Sequence, residues 1–429
     1  MIRCLTILWI LGCLLVSCEE PDLIQETDPN GLYAPYLTSL RNDGEVTLKW
    51  GKPACAMCGG CPCSQLHPDY FEVLYSETDQ GKLQVYTVVD NDVSETTVDH
   101  LDNQKPYYFA IKAVISGEKY TISETIMVIP NTPENVNQLF NTVDKEAKLG
   151  SWSPDQSSVA YVGDYVWNDG NYSAQSVFIS SSSGENSYLV EKYARSPEWS
   201  PGGQQIVYQT DNEEANTSPG YRPTHLAIYD VNDSTVSRLT SGNSFNYLPT
   251  WSADGEWIAY LSDRAGGNEY NIWKIPSTGG PPIQVTTDFN DLSDLAIKSS
   301  RSPEILSWSA DGKRIAFARY NSSTPLKTDI YSVTSDGDDL QTMITSPWND
   351  YCPAYSPDGE KIAFISDRSG KLAIWTMDLQ TKKLSQISGS TEKWIYVNAG
   401  KIAWSSSGDK ILFTSSENDF FTLYSVDVD

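Results

Sequence analysis

Only three histidines, His67, His100 and His225, occur in 429 residues, and they lie far apart. Chemistry that needs clustered imidazoles as bases or metal ligands is starved of them. Positive charge is scarce as well: 30 Lys and Arg stand against 56 Asp and Glu, a formal charge of −26. That field repels polyanions, so nucleic acid is excluded as a partner. No apolar run reaches the roughly 20 residues that span a bilayer. The run from Leu5 to Val16, preceded by Arg3, has the length of a signal-peptide core instead. A Gly-x-Ser-x-Gly nucleophile elbow is also missing. Aromatic residues, by contrast, are abundant, with 13 Trp, 25 Tyr and 11 Phe. They supply the apolar area of a folded chain, and the length calls for two or three domains.

The apolar run ends in Leu15-Val16-Ser17-Cys18, which resembles the lipobox of bacterial lipoproteins. That resemblance implies a signal peptide over residues 1–17, removed on export, and a mature N-terminal Cys18 that carries lipid. Membrane attachment would then rest on the lipid anchor alone. Glu19 directly after the cysteine implies outer-membrane sorting, facing the periplasm or the surface, and residues 18–32 read as a polar tether.

Over residues 33–130, short alternating runs such as Val46–Trp50, Tyr70–Tyr75 and Tyr107–Ala113 are separated by turn-rich stretches. Period two with aromatic and β-branched residues marks half-buried strands, and several in about 100 residues mark a sandwich. Trp50, then Leu101, with Tyr107 six residues on, resembles the fibronectin type III pattern of a core Trp and a tyrosine corner. Cys55, Cys58, Cys61 and Cys63 fall in one loop of this domain. Two disulfides are the favoured reading in an oxidising compartment; zinc or an iron–sulfur cluster competes, although four thiols so close give little independent geometry. Cys352 is expected as a buried thiol.

Residues 131–429 repeat six times. An aromatic-Ser-x-x motif recurs at Trp152, Trp199, Trp251, Trp308, Tyr355 and Trp404, with spacings of 47, 52, 57, 47 and 49. Each begins a unit of four short strands, one blade of a propeller. In the turn, Ser and Asp can bond the amides, while Gly255, Gly312 and Gly359 accept positive φ. These residues are therefore architectural. The last repeat stops after its third strand, whereas residues 136–140 read like a fourth; that segment should pair near Leu423 to Val426 and close the ring. The repeat, with Ser262-Asp263-Arg264 and Ser366-Asp367-Arg368 behind it, resembles that of the TolB family, whose propellers are envelope proteins that bind other proteins. The expected fold is all-β: a fibronectin type III-like sandwich followed by a six-bladed propeller.

In an antiparallel meander the first and third turns share one face, and the second turns and inter-blade links share the other. The first face carries only short turns and is expected to be nearly featureless. The long excursions, 163–174, 211–224, 287–306 and 388–399, belong to the second face. Its candidate partner contacts are Trp167, Tyr172, Tyr221, Tyr247, Trp348 and Trp394, with Arg264 and Arg368 among them. Rigid rings and a few charges on loops suit recognition. The expectation is a non-enzymatic envelope module that binds a protein or a glycan, without a cofactor. The alternative is an accessory of an envelope hydrolase or lyase using loop carboxylates, with Ca²⁺ left open as their ligand.

Overall fold

The computed structural model describes residues 35–51, 68–79, 81–115, 119–131, 136–140, 146–167, 172–211, 223–266, 270–287, 306–320, 327–389, 401–417 and 420–428. Every regular element among them is a β-strand. No helix of the described residues is long and apolar enough to cross a membrane. Cys18 and the four clustered cysteines lie outside the described residues. The chain divides into two compact units that part between Thr132 and Pro133.

The first unit sets two sheets face to face. One runs Leu37–Asn42, Glu45–Trp50, Glu95–Val98; the other runs Gln84–Asp90, Tyr70–Ser76, Tyr107–Ile115, Lys119–Ile122, with Ile126–Val128 also paired to Tyr107–Ile115. Alternation in the sequence delivers Val46, Leu48 and Trp50 from one sheet, and Phe71, Val73, Phe109 and Ile111 from the other, to a common core. Trp50 meets Phe71 edge to face at 5.7 Å. The amide of Asp102 donates to the hydroxyl of Tyr107 at 2.9 Å, the bond of a tyrosine corner.

The second unit contains six four-stranded antiparallel sheets, one for each sequence repeat. Blades one to five are meanders beginning at Lys148, Ala194, Asn246, Ser307 and Asp350. The sixth takes Ala403–Trp404, Lys410–Glu417 and Phe420–Asp427 from the C-terminal end and Val136–Gln138 as its outer strand. The register is Val136 with Val426, Asn137 with Ser425 and Gln138 with Tyr424. The ring therefore closes through hydrogen bonds where the sequence placed the closure. The ladder ends two residues earlier than the expected 140, because Phe140 turns into the core between the first and last blades.

The repeated turn shows why its residues recur. Ser252 Oγ donates to Asp254 at 2.5 Å and accepts the amide of Trp257 at 2.9 Å, while Asp254 accepts the amide of Glu256 at 2.9 Å. Ser309 with Asp311 and Ser356 with Asp358 repeat the arrangement. Gly255 and Gly359 have φ of 74° and 73°, which a side chain would strain. In the first blade Gln156 occupies that position at φ 58° and spends its amide on Ser407 Oγ of the last blade, at 2.8 Å.

Candidate functional site

Two ends of the central channel carry different chemistry. At the end framed by the repeated turns lies a cavity of about 270 Å³, lined by the motif rings and by Ser151, Glu198, Thr250, Ser307 and Lys401. This corrects the expectation of a featureless face: short turns leave the channel mouth open rather than filled. Glu198 of blade two and Lys401 of blade six meet there at 2.6 Å. Lys401 also donates to Pro197 O at 3.2 Å, while the second oxygen of Glu198 accepts from Thr250 Oγ1 and Trp251 N, each at 2.9 Å. Both oxygens are committed, so the pair braces the channel. The brace was not identified from sequence; its only local signal is that Glu198 stands immediately before a motif Trp.

The motif aromatics lock neighbouring blades together. Trp251 Nε1 donates to Glu198 O at 3.1 Å, Trp308 Nε1 to Thr250 O at 3.3 Å, and Trp404 Nε1 to Ala354 O at 2.9 Å. Each indole thus reaches the innermost strand of the preceding blade, as an architectural residue should.

At the opposite end, Phe245 stacks on Tyr247 at 5.7 Å, and Tyr247 touches Tyr270 at 5.6 Å. All three rings are half-buried. Burial first, and then Tyr270, push the Tyr247 hydroxyl far above its usual range. Tyr247 also packs on the core that joins blades three and four, so it is a structural residue as well as a candidate contact. Tyr165 lies under Lys192, whose ammonium is 4.3 Å from the ring.

The other expected contacts divide. Residues Ser158–Trp167 and Tyr172–Ser181 form a long regular hairpin, with Trp167 and Tyr172 as its last pair, where an irregular excursion was expected. Tyr221 and Trp394 lie outside the described residues. Arg368 and Trp348 require correction: both are buried, at 2% and 8% exposure, and neither is available to a partner. Arg368 donates to Asp350 Oδ1 at 2.5 Å and is enclosed by Trp348, Phe364 and Trp375. A buried guanidinium needs such a partner, and here the chain supplies it. Arg264 remains half-exposed. Among the described residues no group of three or more His, Cys, Asp or Glu is arranged to hold a metal ion.

Five meander sheets and a sixth completed by an N-terminal strand define a six-bladed β-propeller protein. The propeller is TolB-like: the family described as TolB beta propeller domain matches residues 296–429, and the Dipeptidyl peptidase IV (DPP IV) N-terminal region matches 221–354. An uncharacterized protein of Agrobacterium fabrum is 26% identical over 226 residues, 52% of this chain and 67% of its own. A TolB homolog of Chlorobium luteolum is 25% identical over 42% of this chain, and the match spans 36% of that relative's length. Among solved structures, TolB from Acinetobacter baumannii matches with a TM-score of 0.47 at 14% identity, over 75% of this chain and 77% of its own.

Proposed function

We propose that the chain is a lipid-anchored cell-envelope binding module, without catalytic activity of its own, that captures a protein partner at the loop end of its propeller. The observation that carries this reading is the contiguous group of half-buried rings, Phe245, Tyr247 and Tyr270, at the mouth opposite the braced cavity. Rigid aromatic area at a loop end is the usual substance of a binding hot spot. The TolB-like repeats support an envelope setting. On this reading Cys18 carries the lipid in the outer membrane, the fibronectin type III-like sandwich spaces the propeller from it, and Cys55, Cys58, Cys61 and Cys63 form two disulfides.

Capture from native envelope by cross-linking and mass spectrometry tests the proposal. Phe245→Ala and Tyr270→Ala should each weaken capture by about 1–2 kcal/mol. Thr278→Ala, on an exposed short turn at the other face, should leave it intact. Equal recovery from all three variants would sink the assignment of the face. Cys18→Ser should move the protein out of the membrane fraction, and unchanged fractionation would remove the anchor.

A further inference from the structure

Blades three and five carry the same Ser-Asp-Arg turn after their second strand, and in both the Asp caps the incoming link. Asp263 accepts the amide of Phe245, and Asp367 that of Asn349, each at 2.8 Å. In both the Arg folds back over a pair of rings. Arg264 lies 5.9 Å from Tyr260 and 5.4 Å from Trp273; Arg368 lies 5.0 Å from Phe364 and 5.2 Å from Trp375. The likeness ends there. In blade five Asp350 neutralises the guanidinium, Ser366 Oγ accepts from Nε at 3.0 Å, and Trp348 covers the cage at 5.7 Å. The equivalent positions of blade three hold Asn246 for Asp350 and Ser244 for Trp348.

Asn246 cannot substitute for the carboxylate. Its Nδ2 donates to Thr224 O at 2.7 Å and Ser244 O at 3.1 Å, and its Oδ1 accepts from Ser262 Oγ at 3.0 Å. With Ser262 turned toward Asn246, the Nε of Arg264 is buried without an acceptor. Asp263 lies within the field of Arg264, but among the described residues no carboxylate forms an ion pair with it. Among the described residues, then, this half-exposed guanidinium on an aromatic floor has Asp263 in its neighbourhood but no ion-pair partner and no covering ring.

We propose that this open cage on blade three binds an acidic peptide segment, whose carboxylate pairs with Arg264 while an adjacent aromatic side chain covers Trp273. Blade five provides the chemical precedent, a carboxylate and an indole on a ring-backed guanidinium; in blade three Asn246 fills the place of Asp350, so the peptide carboxylate would meet Arg264 from its exposed side. A planar fork suits a carboxylate, and the local pair acts at a range where the net charge of −26 is largely screened by salt. The inference rests on the loop end being the recognition end, but its test needs no native partner. Its failure is therefore distinct from a failure of envelope capture.

The probe is acetyl-Trp-Asn-Asp-amide, with acetyl-Trp-Asn-Asn-amide as control, followed by peptide-observed saturation transfer on the full chain. The acidic peptide should bind saturably, and the control about tenfold more weakly. Arg264→Gln keeps much of the stem and removes the charge; it should lose the difference between the two peptides. The double variant Ser244→Trp/Asn246→Asp installs the residues of blade five and should block both peptides. Should that variant fail to fold, Arg264→Gln decides alone. Equal binding of the two peptides, an unchanged preference in Arg264→Gln, or stronger displacement by glucuronate than by the acidic peptide would overturn the proposal.

Discussion

Lys401 and Glu198 are separated by 203 residues and one intervening blade, yet their charged groups meet at 2.6 Å across the channel. Because Glu198 also holds the amide of Trp251, one carboxylate ties blades two, three and six together. Removing one partner leaves the other charge largely buried. Lys401→Met should therefore cost about 3 kcal/mol, while the double variant Lys401→Met/Glu198→Gln should recover part of that loss. Urea unfolding of the single and double variants measures the coupling, and additive costs would show that the two groups do not cooperate.

The seam between the first and last blades is tight at Gly150. A Cβ there would lie 2.7 Å from Leu412 Cδ2 and 2.8 Å from Leu423 Cδ1, both on blade six. Gly150→Ala should destabilise by about 1–3 kcal/mol through overpacking. Gly202→Ala is the control, because its Cβ would meet nothing within 4 Å. If the two variants melt alike, the seam is looser than the side chains indicate.

Acid should loosen the repeated turns. In Asp155, Asp254, Asp311 and Asp358 the hydroxyl of the Ser two residues earlier, aided by a backbone amide, holds the carboxyl below its usual range; Ser407 does most for Asp409. A carboxyl depressed on folding stabilises fully above its unfolded pKa of about 3.9, and that contribution is lost as pH falls through the lower folded value. Asp263 and Asp367 are raised by burial and act with the opposite sign, adding stability as pH falls through their folded values. Urea midpoints should therefore drop steeply only at the acid end. Asp367→Asn should flatten the limb above it, and an unchanged profile in that variant would assign the limb to other groups.

Much of this architecture is legible in the sequence because it is local. The turn bonds of Ser252 and Asp254 join residues at most five apart, so their signature repeats with the blade. Ring closure is legible because the last repeat lacks a strand that residues 136–138 supply. The fate of Arg264 and Arg368 is not, since identical Ser-Asp-Arg turns diverge according to residues 18 and 20 positions upstream, Asn246 and Ser244 against Asp350 and Trp348. The brace between Glu198 and Lys401 depends on the circumference of the ring, which no local pattern encodes.

The motif tryptophans allow a comparison of ring area with hydrogen bonding. Trp251 and Trp199 occupy the same position in adjacent blades and are similarly buried, at 6% and 8% exposure. Trp251 Nε1 donates to Glu198 O at 3.1 Å, whereas Trp199 Nε1 is buried without a partner. Each Trp→Phe change removes a similar apolar area, but Trp251→Phe also breaks a hydrogen bond between blades. In Trp199→Phe the lost N–H is one that was unpaired, so the polar contribution favours the variant. Trp251→Phe should thus cost about 1 kcal/mol more than Trp199→Phe in urea unfolding at neutral pH. Equal costs would mean that the indoles hold the blades together by packing alone.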